Sequence, residues 1–292
     1  MWITSLYYEN EKTMGLQNSN LKQRSFFRPT AVMYRVTLSC KSAIATVLFI
    51  VSLSSCSSNT KPQPGISISF DDRTIREWYD MRGLLNSYNA KVTFFVTQFD
   101  SLLPAEIDML KTLESDGHEI GSHGAIHVNA EYFIKAESYD KYLQSEIEPS
   151  ISAMKKAGFN PTSFAYPYGA KYWFTDYLLK KEFKVLRSVS AIPQGKDISD
   201  LDDIFYGFDN DRTVSSLGID VNSGTTTIMI EKSIKRALAK NEVILLYGHA
   251  PSDSTISTSY QFDLSFLESI LKLAKENNLR YYRMNDLAEE IE

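Results

Sequence analysis

From residue 66 to residue 282 the chain alternates short apolar segments, typical of buried strands, with longer segments of helical periodicity. Such alternation builds parallel sheets, because each helix returns the chain to the end of the sheet where the next strand starts. The pattern therefore predicts an α/β fold, either a barrel or a doubly wound sheet. The number of strands favours an incomplete parallel barrel.

The predicted strands are short, and they lie at residues 66–70, 92–96, 118–122, 163–166, 184–189, 242–247 and 280–282. The predicted helices between them lie at residues 76–88, 106–115, 139–157, 173–181, 227–239 and 263–277. Residues 191–226 are loop-rich and acidic, so neither a strand nor a helix is assigned there.

The N-terminal region has the features of an export signal. Lys41 precedes an apolar stretch at residues 43–53, which is too short to span a bilayer comfortably but suits a signal peptide. Small residues followed by Cys56 then resemble a bacterial lipobox, in which the cysteine becomes the lipidated first residue. Met33 would start a signal of conventional length, which leaves residues 1–32 as either a segment upstream of the true start or a disordered extension.

A polar, proline-containing run follows at residues 57–65 and is typical of a tether, not of a continuing core helix. The sequence thus predicts an N-terminal extension and lipoprotein-type signal peptide at 1–56, a tether at 57–65 and a folded domain at 66–292. The protein is expected to be exported and held on a bacterial membrane through lipidated Cys56, facing the periplasm or on the cell surface. The oligomeric state does not follow from the sequence.

Composition argues against two kinds of site. The net charge is −5 and no basic run follows residue 57, whereas nucleic-acid binding needs clustered Lys and Arg to neutralise phosphates. Both cysteines, Cys40 and Cys56, lie in the N-terminal region. The folded domain therefore has neither a disulfide nor a thiolate metal site.

Histidines and aspartates lie directly after predicted strands. His123 and His127 are four residues apart, a spacing that on a helical turn places both on one face, although such a pair alone is more often a surface feature. Asp71 and Asp72 end the strand at 66–70 and should point in different directions, because side chains alternate along a strand. The alternative for these aspartates is a solvated turn or a helix N-cap.

Two histidines and one carboxylate form a metal-ligand set that leaves coordination positions open for water and substrate. A bound metal lowers the pKa of its water and polarises a carbonyl, which suits hydrolysis of an amide or ester. The reaction also needs a base for the water and an acid for the leaving group. Asp71 and His249, from opposite ends of the chain, are the candidates.

Four ordered motifs carry a resemblance to a known family, namely SFDD at 69–72, GHEIGSH at 117–123 with His127, YPYG at 166–169 and LYGH at 246–249. In this order and spacing they resemble the polysaccharide deacetylases, the NodB-homology enzymes of carbohydrate esterase family 4, over about residues 64–290. The resemblance implies a distorted, incomplete (β/α) barrel. It also implies a metal-dependent hydrolase that removes N- or O-acetyl groups from an envelope glycan or another polysaccharide.

The resemblance assigns the metal to Asp72, His123 and His127, with Zn²⁺ expected and Co²⁺, Ni²⁺ or Mn²⁺ as alternatives. His118 matches a family position that does not bind the metal, and its role is expected to be structural.

The resemblance also assigns catalytic roles. Asp71 would be the general base, the backbone N–H of Tyr168 would hold the oxyanion, and His249 would protonate the leaving amine or alcohol.

The chain departs from the family pattern at several positions. Arg73 stands where the family has glycine, and it is expected to narrow the substrate range or contact an anionic group on the sugar. Ala165 stands where the family has the arginine that orients the base, and we expect Arg187 to supply the missing charge. Tyr247 replaces a more usual leucine, and the Asp and Trp that normally tune the catalytic histidine have no clear match.

Two other functions remain open. One is a catalytically weak glycan-binding surface lipoprotein, which the joint presence of Asp71, Asp72, His123, His127 and His249 disfavours. The other is hydrolysis of a non-sugar amide on the same fold, because a fold does not fix a function.

Overall fold

The computed structural model describes residues 62–253 and 256–288. The predicted signal peptide, Cys56 and most of the predicted tether lie outside the described residues. The end of that tether already contacts the domain, since the Tyr282 hydroxyl donates a hydrogen bond of 2.9 Å to the Gln63 carbonyl. No helix in the described part of the chain is long and apolar enough to cross a membrane.

The described residues form eleven strands, which are β1 (Gly65–Asp72), β2 (Thr93–Val96), β3 (Glu119–Ser122), β4 (Ser163–Ala165), β5 (Val185–Ser190), β6 (Phe205–Tyr206), β7 (Thr213–Gly218), β8 (Val243–Gly248), β9 (Ala250–Ser252), β10 (Gln261–Asp263) and β11 (Arg280–Tyr281). Seven of them pair in the parallel order β1-β2-β3-β4-β5-β7-β8, and β8 closes the barrel by pairing with β1. The predicted (β/α) barrel is confirmed. It is incomplete in having seven strands where a (β/α)₈ barrel has eight.

The helices of the described residues are α1 (Ile75–Asp80), α2 (Arg82–Ser87), α3 (Pro104–Ser115), α4 (Ala130–Ala136), α5 (Tyr139–Tyr142), α6 (Glu148–Lys156), α7 (Thr175–Leu179), α8 (Thr227–Lys240) and α9 (Leu264–Glu276). The helix expected at 76–88 divides at Met81, close to Gly83, a residue that weakens a helix interior. The helix expected at 139–157 contains a π-helical turn at Leu143–Ile147. Such turns are frequent at functional sites.

One barrel strand, β7, lies inside the segment 191–226 that the sequence left unassigned. Its sequence TVSSLG lacks a continuous apolar run, and Ser216 within it is fully buried. A polar residue in the barrel wall breaks the pattern by which a buried strand is recognised. The expected strand at 280–282 is β11. It pairs with β1 but is not one of the seven barrel strands.

The two faces of β1 show how the barrel is filled. Ile66, Ile68 and Phe70 belong to the large apolar cluster shared with the helices, where the Phe70 ring lies 5.7 Å from Phe94. The alternate residues Ser67, Ser69 and Asp71 are also buried, so they lie on the opposite face. The barrel interior therefore carries polar side chains along β1, as far as its carboxyl end.

All seven barrel strands run parallel, so their carboxyl ends meet at one end of the barrel. Asp71 and Asp72 end β1, and His123 follows β3 directly. Tyr168 follows β4, and His249 follows β8. Closure of the sheet thus brings together residues from positions 71 to 249.

Candidate active site

Three side chains converge at the carboxyl end of the barrel with the spacing of a metal site. The Nε2 atoms of His123 and His127 lie 3.6 Å and 3.2 Å from Asp72 Oδ1. One ligand atom from each of the three residues lies within 4.8 Å of the others. Their donor types, two imidazoles and one carboxylate, leave positions for water and substrate on a four- or five-coordinate ion.

The two histidines reach the site through the loop between β3 and α4, and not on a helical turn. His127 has a φ of 58°, in the left-handed region that a non-glycine residue adopts at a cost. The buried Glu146 carboxylate in the π-helical turn accepts hydrogen bonds of 2.7 Å and 3.0 Å from the N–H groups of Ile126 and Val128, on either side of His127. Glu146 therefore holds the backbone that presents His127.

The environment of His123 prepares it as a ligand. Its Nδ1 lies 2.8 Å from the Ala165 carbonyl oxygen, which can only accept, so Nδ1 carries the proton and Nε2 faces Asp72 with its lone pair. Burial lowers the pKa of His123 to about 4, against the opposing effect of Asp71 and Asp72. The ring is therefore neutral at neutral pH, which is the form that binds metals.

Asp72 has the properties of the third ligand. Its φ of 85° lies in the left-handed region, which turns its carboxylate away from that of Asp71. Burial by itself raises the pKa of Asp72, but the nearby His127, His123 and His249 outweigh it and lower the pKa to about 2. Its Oδ1 is buried, and no hydrogen bond reaches it. A buried carboxylate oxygen without a donor, beside two imidazole nitrogens, fits a divalent cation such as Zn²⁺.

Asp71 points into the barrel and forms an ion pair with Arg187, whose Nη2 donates to both carboxylate oxygens. Both side chains are almost completely buried. The guanidinium lies between two aromatic rings, 5.3 Å from the centre of Phe95 and 4.9 Å from the centre of Tyr247. Cation–π contacts of this kind stabilise a desolvated cation.

Arg187 occupies the space left by Ala165. The two residues are register partners on the neighbouring parallel strands β4 and β5, so their side chains point to the same face of the sheet. Ala165 has a small side chain, which leaves room for the guanidinium in the barrel interior. Arg187 thus reaches Asp71 from β5, the strand next to β4, on which Ala165 lies.

His249 is bound by Asp220, a residue that the sequence did not single out. The His249 Nδ1 lies 2.5 Å from Asp220 Oδ2, and the His249 N–H donates a 3.0 Å hydrogen bond to Oδ1. Burial by itself lowers the pKa of His249, but Asp220, with the further charges of Asp71 and Asp72, outweighs it and raises the pKa. Asp220 lies two residues after β7 and Asp71 lies at the end of β1, so both aspartates carry the same strand-end signal. Asp220 was missed because β7 itself was not recognised.

One cavity of about 390 Å³ is lined by Asp71, Asp72, His123, His127 and His249, and its other walls are Tyr168, Gly169, Val189, Asn222, Tyr247 and Tyr260. The Tyr168 ring packs on the His127 ring, with ring centres 4.8 Å apart. The backbone of Tyr168 has a φ of 60° and forms a tight turn with Gly169. A Cβ at Gly169 would lie 2.2 Å from Val189, so the turn requires glycine.

Arg73 and His118, for which the sequence also predicted roles, do not line this cavity. The Nη1 of Arg73 donates hydrogen bonds of 3.2 Å and 2.9 Å to Gln98 and Ser101. The expected contact with an anionic sugar group stays a prediction. His118 is buried, and its Nδ1 accepts a 3.2 Å hydrogen bond from the Val92 N–H.

The sequence model of the polysaccharide deacetylase family matches residues 58–183. No curated protein matches the chain in sequence. Among solved structures, a pseudoenzyme of carbohydrate esterase family 4 from Bacillus anthracis is similar, with a TM-score of 0.51 at 13% identity over 78% of this chain and 66% of that one. A mutant pseudoenzyme of the same family, with restored activity, has a TM-score of 0.50 at 13% identity over 78% of this chain and 68% of that one.

The family 4 carbohydrate esterase from Streptomyces lividans has a TM-score of 0.49 at 15% identity over 75% of this chain and 92% of that one. The closed barrel of parallel strands has the fold of this esterase family. The resemblance that the ordered motifs predicted is thus confirmed by the family model over residues 58–183.

Replacing Glu146 with alanine should weaken metal binding, because the loop that presents His127 loses both of its side-chain acceptors. We expect the affinity for Zn²⁺ to fall by about 10- to 100-fold, as is usual when a group that orients a metal ligand is removed. Competition with a chromophoric chelator measures the affinity, and circular dichroism verifies folding. Glu148→Ala, at an exposed position just beyond the same π turn, is the matched control. Equal affinities for the two variants would show that Glu146 does not support the site.

Proposed function

We propose that this protein is a metal-dependent hydrolase that removes N- or O-acetyl groups from a carbohydrate. The observation that carries the proposal is one cavity that combines a three-residue metal-ligand set, a carboxylate paired with a buried arginine and a histidine bound to an aspartate. A volume of about 390 Å³ is within the range of small-molecule sites.

Asp72, His123 and His127 would hold the metal, for which Zn²⁺ is the first choice and Co²⁺, Ni²⁺ or Mn²⁺ are alternatives with suitable chemistry. When bound, the metal polarises the acetyl carbonyl and lowers the pKa of water beside it. His123 is suited to this role by its neutral ring and by the hydrogen bond that fixes its orientation.

Asp71 would act as the general base that accepts the proton of the attacking water. The contact with Arg187 fixes the direction of its carboxylate, and the surrounding barrel excludes bulk water from the pair. Water attacks the carbonyl carbon, and the backbone N–H of Tyr168 would donate to the oxyanion that forms.

His249 in its protonated form would donate its proton to the leaving amine or alcohol as the C–N or C–O bond breaks and acetate is released. Asp220 orients the imidazole ring and stabilises its positive charge, as the raised pKa of His249 reflects. The base and the acid thus come from separate residues, each positioned by its own charged partner.

We also propose that the protein is exported and held on a bacterial membrane through lipidated Cys56. The basic residue, the apolar stretch and the cysteine that follows it support this proposal. An acetylated glycan of the cell envelope or its surroundings is the partner that such a location would provide.

The proposed function makes three predictions, and the first of them concerns metal dependence. The purified protein should release acetate from at least one member of a panel of N- and O-acetylated glycans, and chelation should abolish the release until Zn²⁺ is restored. His127→Ala should lose both metal and activity, whereas Asp71→Asn should retain metal and lose activity, because the two residues serve different steps. Acetate is measured by an enzyme-coupled assay and metal by mass spectrometry.

Release that survives complete chelation would refute metal dependence. Full metal occupancy without release from any glycan would instead favour the glycan-binding function. Release only from non-sugar amides added to the panel would favour the third function.

The second prediction concerns Arg187. Arg187→Ala should lower turnover by at least about 100-fold, the scale of a general base's contribution, while the metal content stays unchanged. Loss of one partner of a buried ion pair also costs stability, so thermal melting must accompany the assay. The double variant Ala165→Arg/Arg187→Ala places the charge on the neighbouring strand at the same register and should recover part of the turnover. A mild effect of Arg187→Ala would remove Arg187 from the mechanism.

The third prediction concerns pH. His249 must be protonated to act as an acid, so kcat/KM should fall as pH rises through the pKa of this histidine. Asp220 raises that pKa, and Asp220→Asn should therefore move the alkaline limb of the profile to lower pH. The profile is recorded with a single acetylated substrate. Asp211→Asn, at an exposed aspartate outside the cavity, is the control and should leave the limb in place. If the alkaline limb stays in place in Asp220→Asn, the limb does not report the pKa of His249, and His249 is excluded as the general acid.

A further inference from the structure

The buried guanidinium of Arg187 uses only part of its hydrogen-bonding capacity. Its Nη2 group donates to both carboxylate oxygens of Asp71. Its Nε and Nη1 atoms are sealed from solvent and find no hydrogen-bond acceptor among the described residues. A desolvated cation with unsatisfied donors is costly to maintain, so contacts other than hydrogen bonds must hold this one in place.

Two aromatic rings supply those contacts. The ring centres of Phe95 and Tyr247 lie 5.3 Å and 4.9 Å from the guanidinium carbon of Arg187. Both distances are within the range of about 6 Å over which a cation is attracted to an aromatic ring. Tyr247 pairs with Ser69 in the register of β1 and β8, so its side chain points to the interior face that also carries Asp71. The ion pair is therefore enclosed by rings from two different strands.

The two rings lie in different surroundings. Phe95 is fully buried and packs against Gly121, where a Cβ would lie 2.6 Å from its ring. Tyr247 is only partly buried and lines the catalytic cavity. Arg187 itself is fully buried and is not among the residues that line the cavity. Tyr247 therefore separates the guanidinium from the cavity.

The hydroxyl group of Tyr247 suits this boundary position. It makes no hydrogen bond within the described part of the chain, and it is not sealed from solvent. Burial raises the pKa of Tyr247 to about 12, although the positive charge of Arg187 opposes this effect. The phenol is therefore neutral at neutral pH, and it does not compete with Asp71 as the charged partner of Arg187. One side chain thus offers a ring face to the cation and a polar end to the cavity.

We propose that Tyr247 is a positioning residue for the general base, because its ring holds Arg187 in the orientation that directs the Asp71 carboxylate. The inference rests on the proposed deacetylase function and concerns how the same site is positioned. Leucine, the more usual residue at this position, has no ring face to offer a cation. An arginine on β5 therefore requires an aromatic residue on β8, and Arg187 and Tyr247 function as a unit.

The test is a double-mutant cycle on turnover. Tyr247→Leu should lower kcat for acetate release by about tenfold and leave KM nearly unchanged, because the base loses its orientation while the substrate contacts remain. Tyr247→Phe keeps the ring and should retain kcat. In the Arg187→Ala background, Tyr247→Leu should cause no further loss, since the residue through which it acts is absent.

Tyr260→Leu is the matched control. Tyr260 lines the same cavity, but its ring packs on His249, with ring centres 5.2 Å apart, and it is not one of the two rings over Arg187. Any effect of Tyr260→Leu on kcat should be the same with and without Arg187. Mass spectrometry of the metal and circular dichroism verify that each variant is loaded and folded.

A second measurement needs no turnover. Urea unfolding of the unaltered protein, the two single variants and the double variant gives the coupling between Tyr247→Leu and Arg187→Ala. This coupling should be about fivefold to thirtyfold in the folding equilibrium constant, the scale of a desolvated cation–π contact. If the unaltered protein releases no acetate from any substrate, the proposed function fails, and the coupling still decides whether Tyr247 holds Arg187.

Three results would overturn the inference. If Tyr247→Phe is as costly as Tyr247→Leu, the hydroxyl group matters and the ring does not. If Tyr247→Leu causes the same loss with and without Arg187, Tyr247 acts independently of the arginine. If Tyr247→Leu causes no loss at all, the guanidinium does not need the ring.

Discussion

The ion pair between Asp71 and Arg187 is the constraint on which the rest of the site depends. Two charges lie inside a closed barrel, and burial of a charge is costly unless its partner is equally buried and well placed. The Phe95 and Tyr247 rings on the guanidinium supply further stabilisation. This pair joins β1 to β5 across the barrel interior. The same interior carries the buried serines Ser67 and Ser69, where apolar layers are the usual filling of a barrel.

The end of β1 divides two neighbouring carboxylates between two tasks. Asp71 continues the strand and points inward to the arginine, while Asp72 adopts a left-handed conformation and faces His123 and His127. The strain at Asp72 has a counterpart at His127 on the opposite side of the metal-ligand set. The surrounding structure maintains both conformations, in the case of His127 through the buried Glu146. The two adjacent carboxylates thus face different partners, Asp71 the guanidinium and Asp72 the imidazoles.

Arg187 and Asp220, the partners of Asp71 and His249, come from β5 and from just after β7, away from the motifs that the sequence shows. In a parallel sheet, register partners on adjacent strands project to the same face, so a side chain from β5 reaches the space that one from β4 would fill. Tyr247, larger than the leucine usual at its position, covers the relocated guanidinium. His249 likewise has an aspartate partner, Asp220, which lies just after β7. Asp71 and His249 therefore each have an oppositely charged or hydrogen-bonding partner that no motif in the sequence identified.

The sequence by itself determined the alternation of strands and helices, the barrel class and the residues Asp71, Asp72, His123, His127 and His249. These signals are local, because periodicity and motif spacing act over a few residues. Only the tertiary structure decided what is non-local. Asp71 and Arg187 are 116 residues apart, and their contact exists because the barrel closes. β7 escaped recognition because its buried serine belongs to a polar interior, and Asp220 escaped with it. The π-helical turn that brings Glu146 to the histidine loop likewise depends on packing, since the helical periodicity of residues 139–157 continues through it.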